Sequence, residues 1–174
     1  MGMSVTISAA TENDAEQILK LQYLCYQSEA ELYGDYSIEP LTQSLTALRS
    51  ELADGCVLVA RLGDEVVGSV RGTVDPEGTA LITGLIVHPR MQRHGLGGRL
   101  LGAVEERLAR ERSARRFRLA TGARSEGGLR LYRKWGYAQV GAERVTRELT
   151  VVTLEKSVGS TTDAGSEPAF AASA

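Results

Sequence analysis

The eight residues Gln92-Arg93-His94-Gly95-Leu96-Gly97-Gly98-Arg99 are the stretch of this sequence best suited to chemistry. They join an almost uncharged run, Thr79 to Val87, to an amphipathic one in which Leu101, Val104 and Leu108 recur at helical spacing. Glycine has no Cβ, so Gly95, Gly97 and Gly98 leave main-chain N–H groups uncovered where the positive end of a helix dipole emerges. Arg90, Arg93 and Arg99 add charge nearby. The natural guest of such a turn is a phosphate. Two other glycine-loop patterns fail on spacing. The dinucleotide fingerprint G-x-G-x-x-G needs glycine at position 100, where Leu100 stands, and no Gly-Lys-Ser/Thr of a Walker loop is present. A merely flexible helix start explains one glycine but not three within four positions.

A second chemically dense segment is "YQSEAELYGDY", which holds Tyr26, Glu29, Glu31, Tyr33, Asp35 and Tyr36. Acids and tyrosines together suit a cationic amine through charge pairing and cation–π contact, and suit a solvated loop equally well. Tyr132, with Leu129, Leu131 and Trp135 around it, reads by periodicity as a packing aromatic. His88 and His94 have no carboxylate or cysteine at ligand spacing, so no metal site is expected. Cys25 and Cys56 cannot build a disulfide framework, and their apolar neighbours suit small buried residues.

The elements that must position these residues follow from pattern. "SVTIS" alternates as a strand, and Thr11 with Asp14 opens a helix whose apolar stripe is Ala15, Ile18, Leu21 and Cys25. Leu41, Leu45, Leu48 and Leu52 predict a second short helix stopped at Gly55. Residues 56–75 read as two strands turning at Gly63-Asp64, and the run Thr79 to Val87 as a central strand covered on both faces. After the helix come a strand at "RRFRLAT", a short helix ending at Gly136 and a closing strand pair in "ERVTRELTVVTLEK". From Ser157 the chain is small and polar, which predicts a disordered tail over 157–174.

With 174 residues, 43% hydrophobic and 24% charged, the chain suits one ordinary globular domain. It lacks both an uncharged run of the ~20 residues a membrane span requires and a signal-peptide pattern, so a cytoplasmic protein that does not engage a membrane is expected. A net charge of −2 argues against nucleic acid. Residues 107–118 contain six arginines, but the segment spans a helix end and a strand start and offers no stacking platform beyond Phe117.

Gln92 to Gly97 matches the Q/R-x-x-G-x-G/A motif of the GCN5-related N-acetyltransferases. "GLIVHPRM" before it resembles that family's fourth strand and V-x-P exit, and "LRLYRKWGY" resembles its L-Y-x-x-x-G-F/Y segment. The resemblance covers residues 4–156. It implies the acyl-CoA N-acyltransferase fold, an α/β (α+β type) domain with a mixed, mostly antiparallel sheet, strands 4 and 5 splayed, flanked by helices. It also implies acetyl-CoA as co-substrate, with the diphosphate on Arg93 to Arg99 and on Gln92, and the pantetheine arm against Leu85, Ile86 and Val87. Tyr132 falls on the family's leaving-group tyrosine, a general acid. Ser125 stands where the family often has an asparagine against the cofactor arm, and the family's frequent strand-4 glutamate base is missing. The base is therefore water, Glu29, Glu31, Asp35 or His88. Tyr26, Glu29, Tyr33 and Tyr36 would line an acceptor site for a small cationic amine. A protein lysine or N-terminal amine, or a CoA-binding module without transfer, are the alternatives. Dimers are frequent among relatives, so a homodimer is an expectation.

Overall fold

The computed structural model describes residues 4–159, and most of the predicted tail lies outside the described residues. Seven strands form one sheet in the order β1-β2-β3-β4-β5-β7-β6. They are β1 (Val5–Ala9), β2 (Cys56–Leu62), β3 (Glu65–Val74), β4 (Thr79–Val87), β5 (Arg116–Gly122), β6 (Ala138–Arg144) and β7 (Thr150–Ser157). All neighbours are antiparallel except β4 and β5. The helices are α1 (Ala15–Tyr33), α2 (Glu39–Thr42), α3 (Leu45–Asp54), α4 (Leu96–Arg112) and α5 (Glu126–Lys134). The mixed α/β architecture is the expected one.

Alternation along β2 shows how the sheet fills both layers. Val57 and Val59 join Ile18, Leu21 and Leu48 from α1 and α3, while Leu58 and Ala60 join Leu100, Leu101 and Leu108 from α4. Val59, Val67 and Val70 are fully buried, and each such side chain contributes about 1.5–3 kcal/mol relative to exposure. Gly63 turns the β2–β3 hairpin with φ 65°. At the start of α1 the Asp14 carboxylate accepts from Thr11 N at 2.8 Å and from Arg61 Nη2 at 2.7 Å.

Two expectations need correction. The helix read across Leu41 to Leu52 is broken at Gln43 and Ser44, because the Ser44 hydroxyl accepts from Ala47 N at 3.1 Å and so starts α3 afresh. Nor is β4 covered on both faces throughout. Leu81 is 45% exposed and Thr83 is exposed, since α1 and α3 cover β2, β3 and the far half of β4 and stop short of these two residues. Among the described residues, no helix is long and apolar enough to cross a membrane.

Candidate active site

The site begins with a fault in the sheet. β4 pairs with β5 only through Thr79↔Arg116, Ala80↔Phe117 and Leu81↔Arg118, while β5 continues along β7 as far as Gly122. On the other side of β4, Arg71 pairs with Thr83 and Ser69 with Ile86, so Gly84 and Leu85 stand opposite Val70 alone. This is a bulge, which bends a strand and ends regular pairing. Gly84 accommodates it with φ 64°, a left-handed conformation that favours glycine. β4 and β5 therefore part, and a cleft of about 580 Å³ opens between them, with Leu85 to Val87 on one wall and Leu119 to Thr121 on the other. Side chains reach the freed main chain at its far end, where Val87 O accepts from Gln92 Nε2 at 3.3 Å and from Cys25 Sγ at 3.4 Å.

Beyond β4 the chain makes a short 3₁₀ turn at Pro89–Met91 and enters α4 through two left-handed residues, Arg93 (φ 71°) and Gly95 (φ 75°). The first intrahelical bond is Arg99 N to Gly95 O at 3.1 Å, which leaves the N–H groups of Leu96, Gly97 and Gly98 without an intrahelical partner. These three residues border a second hollow of about 430 Å³ that shares Leu85, Val87, Gln92, Gly127, Gly128 and Tyr132 with the cleft. The two form a trough with an anion-seeking helix end at one extremity and free strand main chain along its middle. An extended ligand with a diphosphate and an amide-bearing arm fits that donor set.

The family model for acetyltransferases (GNAT) matches residues 15–137. The chain belongs to the GNAT acetyltransferase family, whose acyl donor is acetyl-CoA. Its fold is shared by PaiA N-acetyltransferase of Thermoplasma acidophilum in complex with coenzyme A, with TM-score 0.73 and 19% identity over 89% of this chain and 99% of that one. The ribosomal-protein-S18-alanine N-acetyltransferase of Escherichia coli gives TM-score 0.73 and 16% identity over 91% and 96%. YncA of Salmonella typhimurium with acetyl-CoA gives 0.70 and 19% over 90% and 95%. At these identities the likeness shows the fold. No curated protein matches the chain.

Besides Leu85 to Val87 and Gln92, expected acceptor-site and catalytic residues meet in the cleft. Tyr26, Glu29 and Tyr132 all line it. Burial, reinforced by the Glu29 carboxylate, pushes the Tyr132 hydroxyl up to about 12, and the same two causes raise that of Tyr26. Glu29 is itself half-buried, and burial raises its carboxyl above the ordinary range. Ser125 lines the cleft as well, next to Gly127 and Gly128 at the start of α5. Burial raises the Cys25 thiol to about 11, so it stands in the cleft as a neutral thiol.

Other expected residues lie elsewhere. Glu31, Tyr33, Asp35, Tyr36, His88, His94 and Arg99 do not line the trough. Asp35 accepts from Ser37 N and Oγ in an exposed turn, and His88 Nδ1 accepts from Arg90 N at 3.2 Å. Tyr33 is buried, and its hydroxyl accepts from Arg124 N at 3.0 Å and lies 3.3 Å from Ser125 Oγ, which ties the end of α1 to the loop before α5. Arg90 pairs with Glu65, and Arg99 donates to Val5 O at 3.2 Å, so Arg93 is the one of the three arginines bordering the trough. The missing Cβ of Gly98 concerns packing rather than phosphate access, because it would sit 2.7 Å from Trp135 Nε1.

Sequence reasoning missed a third hollow, of about 870 Å³, that shares Tyr26, Glu29 and Ile82 to Gly84 with the cleft and extends over α3. Its charged lining is Glu29, Glu39, Glu51 and Asp54 against Arg71 alone. Arg71 is tied to Glu51 and to Gln22, and Gln43 bridges the two, donating to Glu51 at 2.9 Å and accepting from Gln22 at 2.9 Å. Ala47, Ser50, Glu51 and Asp54 follow one helix face at i, i+3, i+4 and i+7. That spacing was a usable signal. The partnership of Arg71 with α1 and α3 was not, since it spans more than one element.

Proposed function

We propose that this protein moves an acetyl group from acetyl-CoA to the primary amine of a small cationic acceptor, without a covalent enzyme intermediate. The observation that carries the reading is that Glu29 lines both the cleft and the acidic hollow while Tyr132 lines the same cleft and the hollow at the start of α4. Gln92, Arg93 and the N–H groups of Leu96 to Gly98 hold the diphosphate, while Leu85, Ile86 and Val87 pair with the pantetheine arm and an N–H of that segment polarises the thioester carbonyl. Acetyl-CoA supplies an activated acyl carbon.

The acceptor enters past α2 and α3, where Glu39, Glu51 and Asp54 favour positive charge, and presents its neutral amine beside Glu29. As the C–N bond forms and the C–S bond breaks, Glu29 takes the amine's proton through water and Tyr132 protonates the departing sulfur. A raised carboxyl is a better base at neutral pH than an ordinary one, and a phenol held near 12 keeps its proton until a thiolate needs it. Thiol release assayed over a panel of amines tests this. Turnover with di- and polyamines above that with neutral amines is expected. CoA binding with no turnover on any amine would overturn it in favour of a CoA-binding module, and turnover confined to peptide amines would overturn the acceptor class.

A further inference from the structure

Away from the cleft lies a buried ion pair that lines neither the trough nor the acidic hollow. Lys156 of β7 meets Glu105 of α4 at 2.7 Å, with side chains 2% and 10% exposed. Lys156 Nζ also donates to Trp135 O at 2.9 Å, and the rings of Tyr137, Trp135 and Phe117 stand 5.2, 5.7 and 6.0 Å away. The second Glu105 oxygen accepts from the Tyr137 hydroxyl at 2.7 Å. Taking two charges out of water costs several kcal/mol per ion, and well-packed apolar residues often serve stability as well or better. A buried pair with every polar atom partnered fixes direction rather than adding strength.

What it fixes is the corner that follows Tyr132. Trp135 N and Tyr137 N both donate to Tyr132 O, at 3.1 and 3.0 Å, and the rings of Tyr132 and Tyr137 meet edge to face at 6.1 Å. The Trp135 indole enters a notch on α4 that exists because residues 98 and 102 are glycines; a Cβ there would lie 2.7 and 2.8 Å from the ring. Lys156 holds the Trp135 carbonyl from β7, and Glu105 holds the Tyr137 hydroxyl from α4. One corner thus joins α4, whose first turn borders the trough, to the hydroxyl that faces it.

We propose that Glu105 and Lys156 are positioning residues that set the Tyr132 hydroxyl relative to the first turn of α4. Neither touches substrate; both act through Tyr132, and the inference rests on Tyr132 being the proton donor. The test is a double-mutant cycle in the full chain. Lys156→Met lowers kcat about tenfold and Glu105→Gln by a smaller factor, with CoA Kd and amine KM within about twofold, since a displacement near 1 Å can cost that much in a positioned step. In a Tyr132→Phe background the same substitutions change kcat less than about twofold, because no hydroxyl is left to misplace. A crystal structure of Lys156→Met shows the hydroxyl displaced by about 1 Å. Equal losses in both backgrounds, an unchanged kcat, or an unmoved hydroxyl would overturn the proposal. Should Lys156→Met fail to fold, Glu105→Gln, which keeps the side chain's shape, carries the same comparisons. Absence of turnover in the wild type would sink the proposed function alone, because the displacement of Tyr132 is read by diffraction.

Discussion

The two halves of β4 belong to one strand and put their main chain to different uses. Over Thr79–Leu81 it is sheet, paired with β5, with Ala80 fully buried and Arg116 Nη1 donating to Thr79 Oγ1 at 2.6 Å. From Gly84 to Val87 the β5 side is free and side chains of Cys25 and Gln92 come to it instead. Polar main chain without a partner costs about 1–3 kcal/mol when water is excluded. A strand that gives up its neighbour thereby acquires an appetite for an amide-bearing ligand. The near half should matter to folding, the far half and the turn after it to binding.

The sharpest separation comes from Phe117→Ala, opposite Ala80 in the near half. Loss of this buried ring costs about 3–5 kcal/mol in denaturant unfolding and leaves CoA affinity of the folded protein unchanged. A parallel loss of affinity would erase the distinction between the halves. Gly97→Glu does the reverse. It places bulk and negative charge where the diphosphate belongs and lowers CoA affinity about hundredfold, near 2.7 kcal/mol, by calorimetric titration. Stability changes little, because the added Cβ, 3.3 Å from Leu131 Cδ2, asks only for a small shift of that side chain, while Glu outranks Gly as a helix former and suits a first helical turn. Normal CoA affinity would remove the turn from the site.

Tyr132→Phe reduces kcat more than about tenfold with CoA Kd intact, since only the proton delivered to sulfur is lost. An unchanged kcat removes it from the chemistry. The smallest effect concerns Glu29. Its carboxyl is raised, so it becomes an active base only above the ordinary carboxylate range, and kcat/KM falls as pH drops through that raised value. In Glu29→Gln that acid limb disappears. A profile identical to wild type would reassign the proton to another group.

Much of this was readable in sequence where the cause is local. Gly63-Asp64 turned a hairpin, Thr11 and Asp14 opened α1, and the order of helices and strands held. Local cues misled where two local rules compete: leucine spacing ran a helix through Gln43, and the Ser44 cap divided it. The splay of β4 from β5 depends on a bulge that only pairing with β3 reveals, so Gly84 gave no signal beyond its type. Gly98 looked like phosphate access and serves Trp135, a residue 37 positions away that packs on it through the fold. Nothing local in the sequence pairs Lys156 with Glu105, which lie 51 positions apart and meet only through the fold.

The central claim is that the unpaired half of β4 and the first turn of α4 together grip coenzyme A. Titrating CoA into isotopically labelled protein and following backbone amides by NMR tests it directly. The account predicts large shifts at Leu85, Ile86, Val87, Leu96, Gly97 and Gly98, with Thr79 to Leu81 and Arg116 to Arg118 nearly still. Shifts clustered elsewhere, or none at saturating ligand, would contradict it.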